Sequence, residues 1–219
     1  MPAARLANVA AVREAMGKKA KALAISNVLD SSIPRLADYA FYTHAGPEIG
    51  VASTKAFVCQ LATLAAIAIK AGLDRGTLSD EKARELASAL LEAPRLVAEA
   101  IRLEAVLQRT ARRIAPASTA LYIGRGPSYA IALEGALKLK ELSYIHAEGY
   151  AAGELKHGPI ALVDDTVPVV VVVPHDAFFA KTVSNMEEVA ARGGRIIALT
   201  DSTGAGKLGE GLEEIITMP

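Results

Sequence analysis

Glu134, Lys138 and Glu141 recur at i, i+4 and i+7 in the stretch 133–159, LEGALKLKELSYIHAEGYAAGELKHGP. If that stretch opens as a helix, the spacing stacks two carboxylates and an amine on one face, within about 60° of arc. A second polar cluster, Glu154, Lys156 and His157, follows and ends in Gly158-Pro159, a loop signal. Carboxylates, amines and imidazoles are the groups with which proteins move protons. Leu133, Ala136, Leu137, Leu139, Leu142 and Tyr144 cover most of the remaining helix surface, with Lys140 as the exception. Such a helix, apolar nearly all round, is expected to be buried. Charges inside a protein need partners. Glu134 and Lys138 could simply pair with each other; alternatively the stripe lines a cleft, which the second polar cluster favours.

Strands and helices alternate around this stretch. Helical patterns cover 4–16, 53–71, 177–192 and a segment capped by Ser79, and Pro94 is read as opening a helix that ends near Ile114. Strands are expected at 21–25 (KALAI, buried), 38–43, 119–123, 167–173, 195–199 and 214–217. The run VPVVVVV is apolar on both faces, the mark of a parallel sheet covered by helices. Ser53 or Thr54 is a plausible N-cap for the long apolar helix. Gly124-Arg125-Gly126 joins a strand to a helix but lacks the third glycine of a dinucleotide fingerprint, so a tight turn is expected there.

A chain of 219 residues, 52% hydrophobic, can bury a good core in one large or two small domains. Its 24 basic and 24 acidic residues cancel, and nothing suggests a nucleic-acid surface. Cys59 is the only cysteine, which excludes an internal disulfide and a thiol metal site and reads as a small core residue. His44, His146, His157 and His175 are scattered without ligand spacing, so no metal and no organic cofactor is expected. No signal peptide stands at the start. The longest apolar runs, 61–69 and 167–174, are too short to cross a bilayer, and a soluble, cytoplasmic protein is expected.

The order of elements contains a repeat. A helix, a basic or glycine-rich turn, the strand LAI, Ser26-Asn27 and the strand DYAFYT match a later helix, Gly193-Gly194-Arg195, the strand IIAL, Thr200-Asp201 and the strand EEIITM. Two similar strand–helix halves suggest a duplicated α/β fold. Each copy has elements the other lacks, so the chain is expected to be cut at both ends.

Together, GPEIGVASTKAF (46–57), GRG (124–126), IALEGALKLKELSYIHAE (131–148) and YAAGELKHGP (150–159) resemble the isomerase portion of the glutamine–fructose-6-phosphate aminotransferases, or glucosamine-6-phosphate synthases. That portion consists of two sugar isomerase (SIS) domains. The resemblance covers nearly the whole chain. It implies two three-layer α/β/α units with parallel sheets, flavodoxin-like, both truncated: 1–105 without its N-terminal strands and phosphate loops, and 106–219 without its C-terminal helix and tail.

It also implies a reaction. The family condenses ammonia, released from glutamine by a separate N-terminal domain, with fructose 6-phosphate and isomerises the product to glucosamine 6-phosphate. By the resemblance, Glu141 matches the glutamate that shuttles a proton between C1 and C2, and Lys138 a lysine that assists at a sugar oxygen. His157 matches the histidine that opens the sugar ring, reaching into the neighbouring subunit of a homodimer. Glu134 takes an orienting or charge-pairing role. Val51 and Ala52 would offer backbone groups to the substrate and Ser53 a hydroxyl. The family's two Ser/Thr-rich phosphate loops and its Schiff-base lysine have no match here, nor does the glutaminase domain. Part of an active centre is therefore expected rather than a complete one. A glutamine-independent SIS sugar-phosphate isomerase or amino-sugar deaminase, or a non-catalytic sugar-phosphate-binding module, are the alternatives. No nucleic-acid or membrane partner is implied.

Overall fold

The chain divides into two units, Met1–Ala93 and Pro94–Pro219, in a computed structural model that describes residues 2–219. In the first, helix α1 (Pro2–Gly17) leads into strand β1 (Leu23–Ser26), helix α2 (Ser32–Leu36) and strand β2 (Tyr39–Tyr42). The strands pair in parallel, Leu23 opposite Tyr39 and Ser26 opposite Tyr42. Asp38 fixes one end of the pair by accepting from Lys21 Nζ at 2.7 Å and from the Ala22 amide at 2.9 Å. Asn27 ties the other end, accepting from the Ala45 amide at 2.8 Å and donating to the Gly46 carbonyl at 2.7 Å. The expectation of a buried strand at KALAI is corrected: only Ala24 is buried, while Leu23, Tyr39 and Phe41 are exposed. A two-stranded sheet has too few neighbours to cover both faces.

Helices α3 (Lys55–Asp74) and α4 (Asp80–Ile101) follow. Ser79 caps α4 as expected, its hydroxyl accepting from the Lys82 amide at 3.2 Å. Pro94 does not begin a helix but lies inside α4, and the next helix, α5, runs separately over Glu104–Ile114. Proline removes one intrahelical hydrogen bond, and the strong helix formers on either side carry the helix through. The run-length reading of membrane spans also needs correction: α3 has 20 residues, and an 18-residue stretch within it has mean hydropathy 1.8, enough by length and composition to cross a membrane. Gln60 and Lys70 interrupt its apolar runs without making the stretch polar on average.

The second unit continues with β3 (Thr119–Gly124), α6 (Pro127–Ser143) and β4 (His146–Ala151), a strand the sequence reading omits. Two 3-10 turns (Ala152–His157 and Pro159–Leu162) precede β5 (Pro168–Val172), α7 (Phe179–Ala190), β6 (Arg195–Thr200), α8 (Ser202–Ala205) and β7 (Glu214–Thr217). All five strands are parallel in the order β4-β3-β5-β6-β7. Within the unit that is 2-1-3-4-5, the flavodoxin-like doubly wound order. The expected α/β class with parallel sheets is thus observed. The repeat is present as well, since α1-β1-α2-β2 and α7-β6-α8-β7 share element order and parallel pairing.

Strand alternation sorts the core by face. Leu121, Ile123, Val169, Val171, Ile196 and Ala198 pack with Leu155, Met186 and Val189, on the side of α7 and the 3-10 turns. Ala120, Tyr122, Val170 and Ile197 point the other way, toward α5 and α6.

Candidate functional site

The polar stripe forms as its spacing requires. Lys138 Nζ lies 2.7 Å from Glu141 Oε2 and 3.4 Å from Glu134 Oε1, so one ammonium sits between two carboxylates on α6. The three side chains keep 21%, 24% and 33% exposure for Lys138, Glu134 and Glu141. The hydrogen bond to Glu141, with help from Glu134, holds the lysine above its ordinary pKa, against a smaller opposing effect of burial. Lys138 is therefore a firmly protonated donor at neutral pH, flanked by carboxylates able to accept a proton.

Helix α6 is positioned by small residues. Ala132 and Ala136 are buried against the sheet, and Ala136 packs on Ala120 and Ala147. A Cβ on Gly149 would come within 2.8 Å of Leu133 Cα, so β4 approaches the helix backbone closely. Gly124 lets the chain turn from β3 into α6, since a Cβ there would overlap the Ser128 carbonyl group. Gly126 (φ +53°) supplies the left-handed step before Pro127 opens the helix. The turn expected at Gly124–Gly126 is thus what the structure contains. The expectation of a helix buried nearly all round is overturned: Ile131, Leu133, Leu137, Leu142 and Tyr144 are exposed, Tyr144 at 93%. The close-packed side is made mostly of alanine and glycine, with Leu139 turned to the core beside them, so most of the large apolar residues are left facing outward. A cavity of about 410 Å³ on the α5–α6 side of the sheet is lined by Leu139, Ser143, Tyr122 and Ile197, and by none of the stripe residues.

His157 ends the first 3-10 turn, exposed, two residues beyond the fully buried Leu155 that anchors the turn. The turn lies against the α7 face of the sheet and α6 against the opposite face. The two polar clusters are therefore not brought together within this unit. Lys156 is drawn instead to Glu188 on α7, 2.7 Å away.

In the first unit, Val51 is 70% exposed and Ala52 is buried. Ser53 donates to Glu48 Oε2 at 3.0 Å, and the Thr54 amide donates to Glu48 Oε1 at 2.8 Å. The cap of α3 is thus the carboxylate of Glu48, not the hydroxyl of Ser53 or Thr54, and these hydrogen bonds hold Glu48 below the usual carboxylate pKa. Sequence reasoning passed over Glu48 because it precedes the helix by more residues than a capping box allows. Cys59 is a free thiol, partly buried. Among the described residues no three His, Cys, Asp or Glu side chains converge on a potential metal site.

A further cluster escaped the sequence reading. His146, Glu148 and Tyr150 alternate along β4 on one face, Tyr150 donating to Glu148 Oε2 and His146 Nε2 standing 3.5 Å from Glu148 Oε1. The Tyr150 hydrogen bond lowers the Glu148 pKa and raises that of Tyr150. The i, i+2, i+4 spacing was the signal available.

Comparison with known proteins gives these features a context. The SIS domain family model matches residues 5–70 and 113–206. Over 197 residues the chain is 58% identical to glutamine–fructose-6-phosphate aminotransferase (isomerizing) of Bradyrhizobium diazoefficiens, covering 90% of this chain and 32% of that protein. It is 52% identical over 211 residues to the protein of the same name from Caulobacter vibrioides, covering 96% and 35%. The structure is similar to that of the C-terminal domain of glucosamine-fructose-6-phosphate aminotransferase from Francisella tularensis, with a TM-score of 0.93 and 40% identity over 96% of this chain and 59% of that one. The chain spans about a third of the length of the curated relatives it matches.

Proposed function

This chain belongs to the SIS domain family, and we propose that it is a fragment of the sugar-phosphate isomerase part of a glutamine–fructose-6-phosphate aminotransferase, carrying part of that active centre. Fructose 6-phosphate and glutamine-derived ammonia are the reactants and glucosamine 6-phosphate the product. The observation that carries this reading is Lys138 held between Glu134 and Glu141 on one helix face.

Moving a proton between C1 and C2 through an enediol-like intermediate needs a carboxylate base and a charged donor at the neighbouring oxygen. Glu141 is the base. Lys138 assists at the sugar oxygen, and Glu134 orients it. His157 opens the sugar ring. Val51 and Ala52 offer backbone groups to the substrate and Ser53 its hydroxyl, which Glu48 already orients.

Residues 1–105 and 106–219 are the two SIS units of this reading, and ammonia comes from a glutaminase domain outside these residues. The working form is a cytoplasmic homodimer. Placement of α6 and the His157 turn on opposite faces of the sheet supports a partner that brings His157 to a second chain's stripe. So do the exposed Leu133, Leu137 and Leu142 of α6 and Tyr144 just beyond it, which form a surface for contact.

Calorimetric titration with fructose 6-phosphate and glucosamine 6-phosphate, followed by an isomerisation assay, tests the reading. Saturable binding and turnover that Glu141→Gln abolishes while leaving the fold intact is the expected result. Turnover undiminished in Glu141→Gln would remove the role given to Glu141, and no binding by a folded dimer would mean that the phosphate cradle is absent from these residues, which then keep the fold without the chemistry.

A further inference from the structure

The first 3-10 turn is too short to define its own shape. It has six residues, no side-chain cap, and Gly158 beyond it at φ +140°. Its buried Ala152 and Leu155 fix its depth in the core, but not the direction in which Glu154, Lys156 and His157 project. A polar chain on one side of it does that. Arg125, in the loop after β3, donates from Nε to Asn185 Oδ1 on α7 at 3.2 Å. Asn185 Nδ2 donates to Glu188 Oε2 at 3.4 Å, and Glu188 Oε1 accepts from Lys156 Nζ at 2.7 Å. The Arg125 guanidinium lies close to Gly153, where a Cβ would stand 2.6 Å from Nη2.

Asn185 is the informative member. It is 3% exposed, inside a helix whose neighbouring core positions are Met186 and Val189. An amide is costly to bury unless its hydrogen bonds are made, and an apolar residue would suit that helix face without them. Its amide instead joins the loop after β3 to the residue that grips Lys156, next to His157 in the chain.

We propose that Asn185, with Arg125 and Glu188, is a positioning group that aims the His157-bearing turn, so that ring opening depends on residues of α7 and of the loop after β3 that touch no substrate. The inference rests on the role of His157 given above. It adds the prediction that this role is set from the far side of the turn.

The test uses the full chain with two variants, Asn185→Leu, which keeps the volume but not the amide, and Glu188→Gln, at the solvent end where folding is not at stake. Hydrogen exchange read by mass spectrometry over 152–158 should accelerate by about fivefold to tenfold in both, the factor given by losing one hydrogen bond of ordinary net strength. The urea midpoint of Glu188→Gln should fall by no more than about 0.7 M, the loss of that one hydrogen bond, with the transition still cooperative. In the isomerisation assay kcat should fall with KM little changed, and Glu188→Asp should recover part of it. Wild-type exchange across the turn in both variants would overturn the proposal, as would faster exchange with an unchanged kcat. If the wild-type chain shows no turnover, the catalytic reading fails on its own, and the exchange arm still decides whether the polar chain aims the turn.

Discussion

Replacing Gly149 by alanine should loosen the second unit by an amount the geometry fixes. Its Cβ would stand 2.8 Å from Leu133 Cα, 2.9 Å from Leu133 Cδ2 and 3.0 Å from the Leu133 amide nitrogen. Two of those atoms are helix backbone, so no rotamer change relieves the overlap. Ordinary contact begins at 3.4 Å, and α6 must therefore withdraw from β4 by about 0.6 Å. Overpacking of this kind costs roughly 1–3 kcal/mol. Alanine regains about 0.5–1 kcal/mol over glycine in an extended segment, leaving a net loss of about 0.5–2 kcal/mol. With a urea slope of about 2 kcal/mol per molar, the unfolding midpoint should drop by roughly 0.25–1 M. Urea titration followed by circular dichroism measures it, with Gly209→Ala as the control. A Cβ on Gly209 meets nothing within 4 Å, so that variant should stay within about 0.5 kcal/mol of the parent. A Gly149→Ala midpoint equal to that of the control would refute the close approach of strand and helix.

Other consequences can be measured on the same chain. Gly124→Ala should be the more severe glycine change, at about 3 kcal/mol, because the added carbon meets the Ser128 carbonyl carbon at 2.5 Å and the Tyr129 amide at 2.9 Å; soluble yield and thermal unfolding report it. Asp201 accepts from the amides of Thr203 (2.9 Å), Gly204 (3.0 Å) and His175 (2.5 Å), which hold its carboxyl below the usual range. Asp201→Ala should therefore cost about 1–2 kcal/mol at neutral pH. A depressed carboxyl stabilises the fold above its unfolded pKa of about 3.9, so the gap between variant and parent should close as pH falls below that, read from melting temperatures across an acid series. Glu148→Gln should return the Tyr150 hydroxyl toward an ordinary tyrosine pKa in an ultraviolet titration, while Tyr122, raised by burial, stays shifted.

How much of this fold could be read from sequence depended on which side chains packing required. VPVVVVV announced a doubly covered parallel strand because both faces are buried, and β5 is that strand. Glu134, Lys138 and Glu141 formed their ion cluster because it needs only helical spacing and no tertiary context. β4 was missed for the opposite reason. The approach of α6 leaves room only for Ala147, Gly149 and Ala151 on that face, and glycine and alanine carry little strand propensity. The packing that makes the strand close to its helix removes the residues that would have announced it. The exposure of α6 was misread for a related reason, since its periodicity showed an apolar helix but not that the sheet would take its small residues.

Recognising β4 changes how the two polar clusters relate, and this leads to a final experiment. Glu141 lies near the C-terminal end of α6, beside the start of β4, whereas His157 follows that strand's far end. Six residues of parallel strand advance the chain on the order of 20 Å, and the 3-10 turn then lies on the face of the sheet opposite α6. A hexose phosphate cannot bridge that span, so Glu141 and His157 can serve one sugar only if they come from two chains. Mixing Glu141→Gln and His157→Ala chains, each inactive alone, should then restore turnover. Half of randomly formed pairs are mixed, and each mixed pair holds one intact site, so about a quarter of the parent rate is expected. Subunits must be exchanged by mild denaturation before the assay, and each variant should bind sugar phosphate by itself. A mixture that stays inactive although exchange is demonstrated would mean that the two residues act within one chain or that only one of them acts, and the shared site would have to be abandoned.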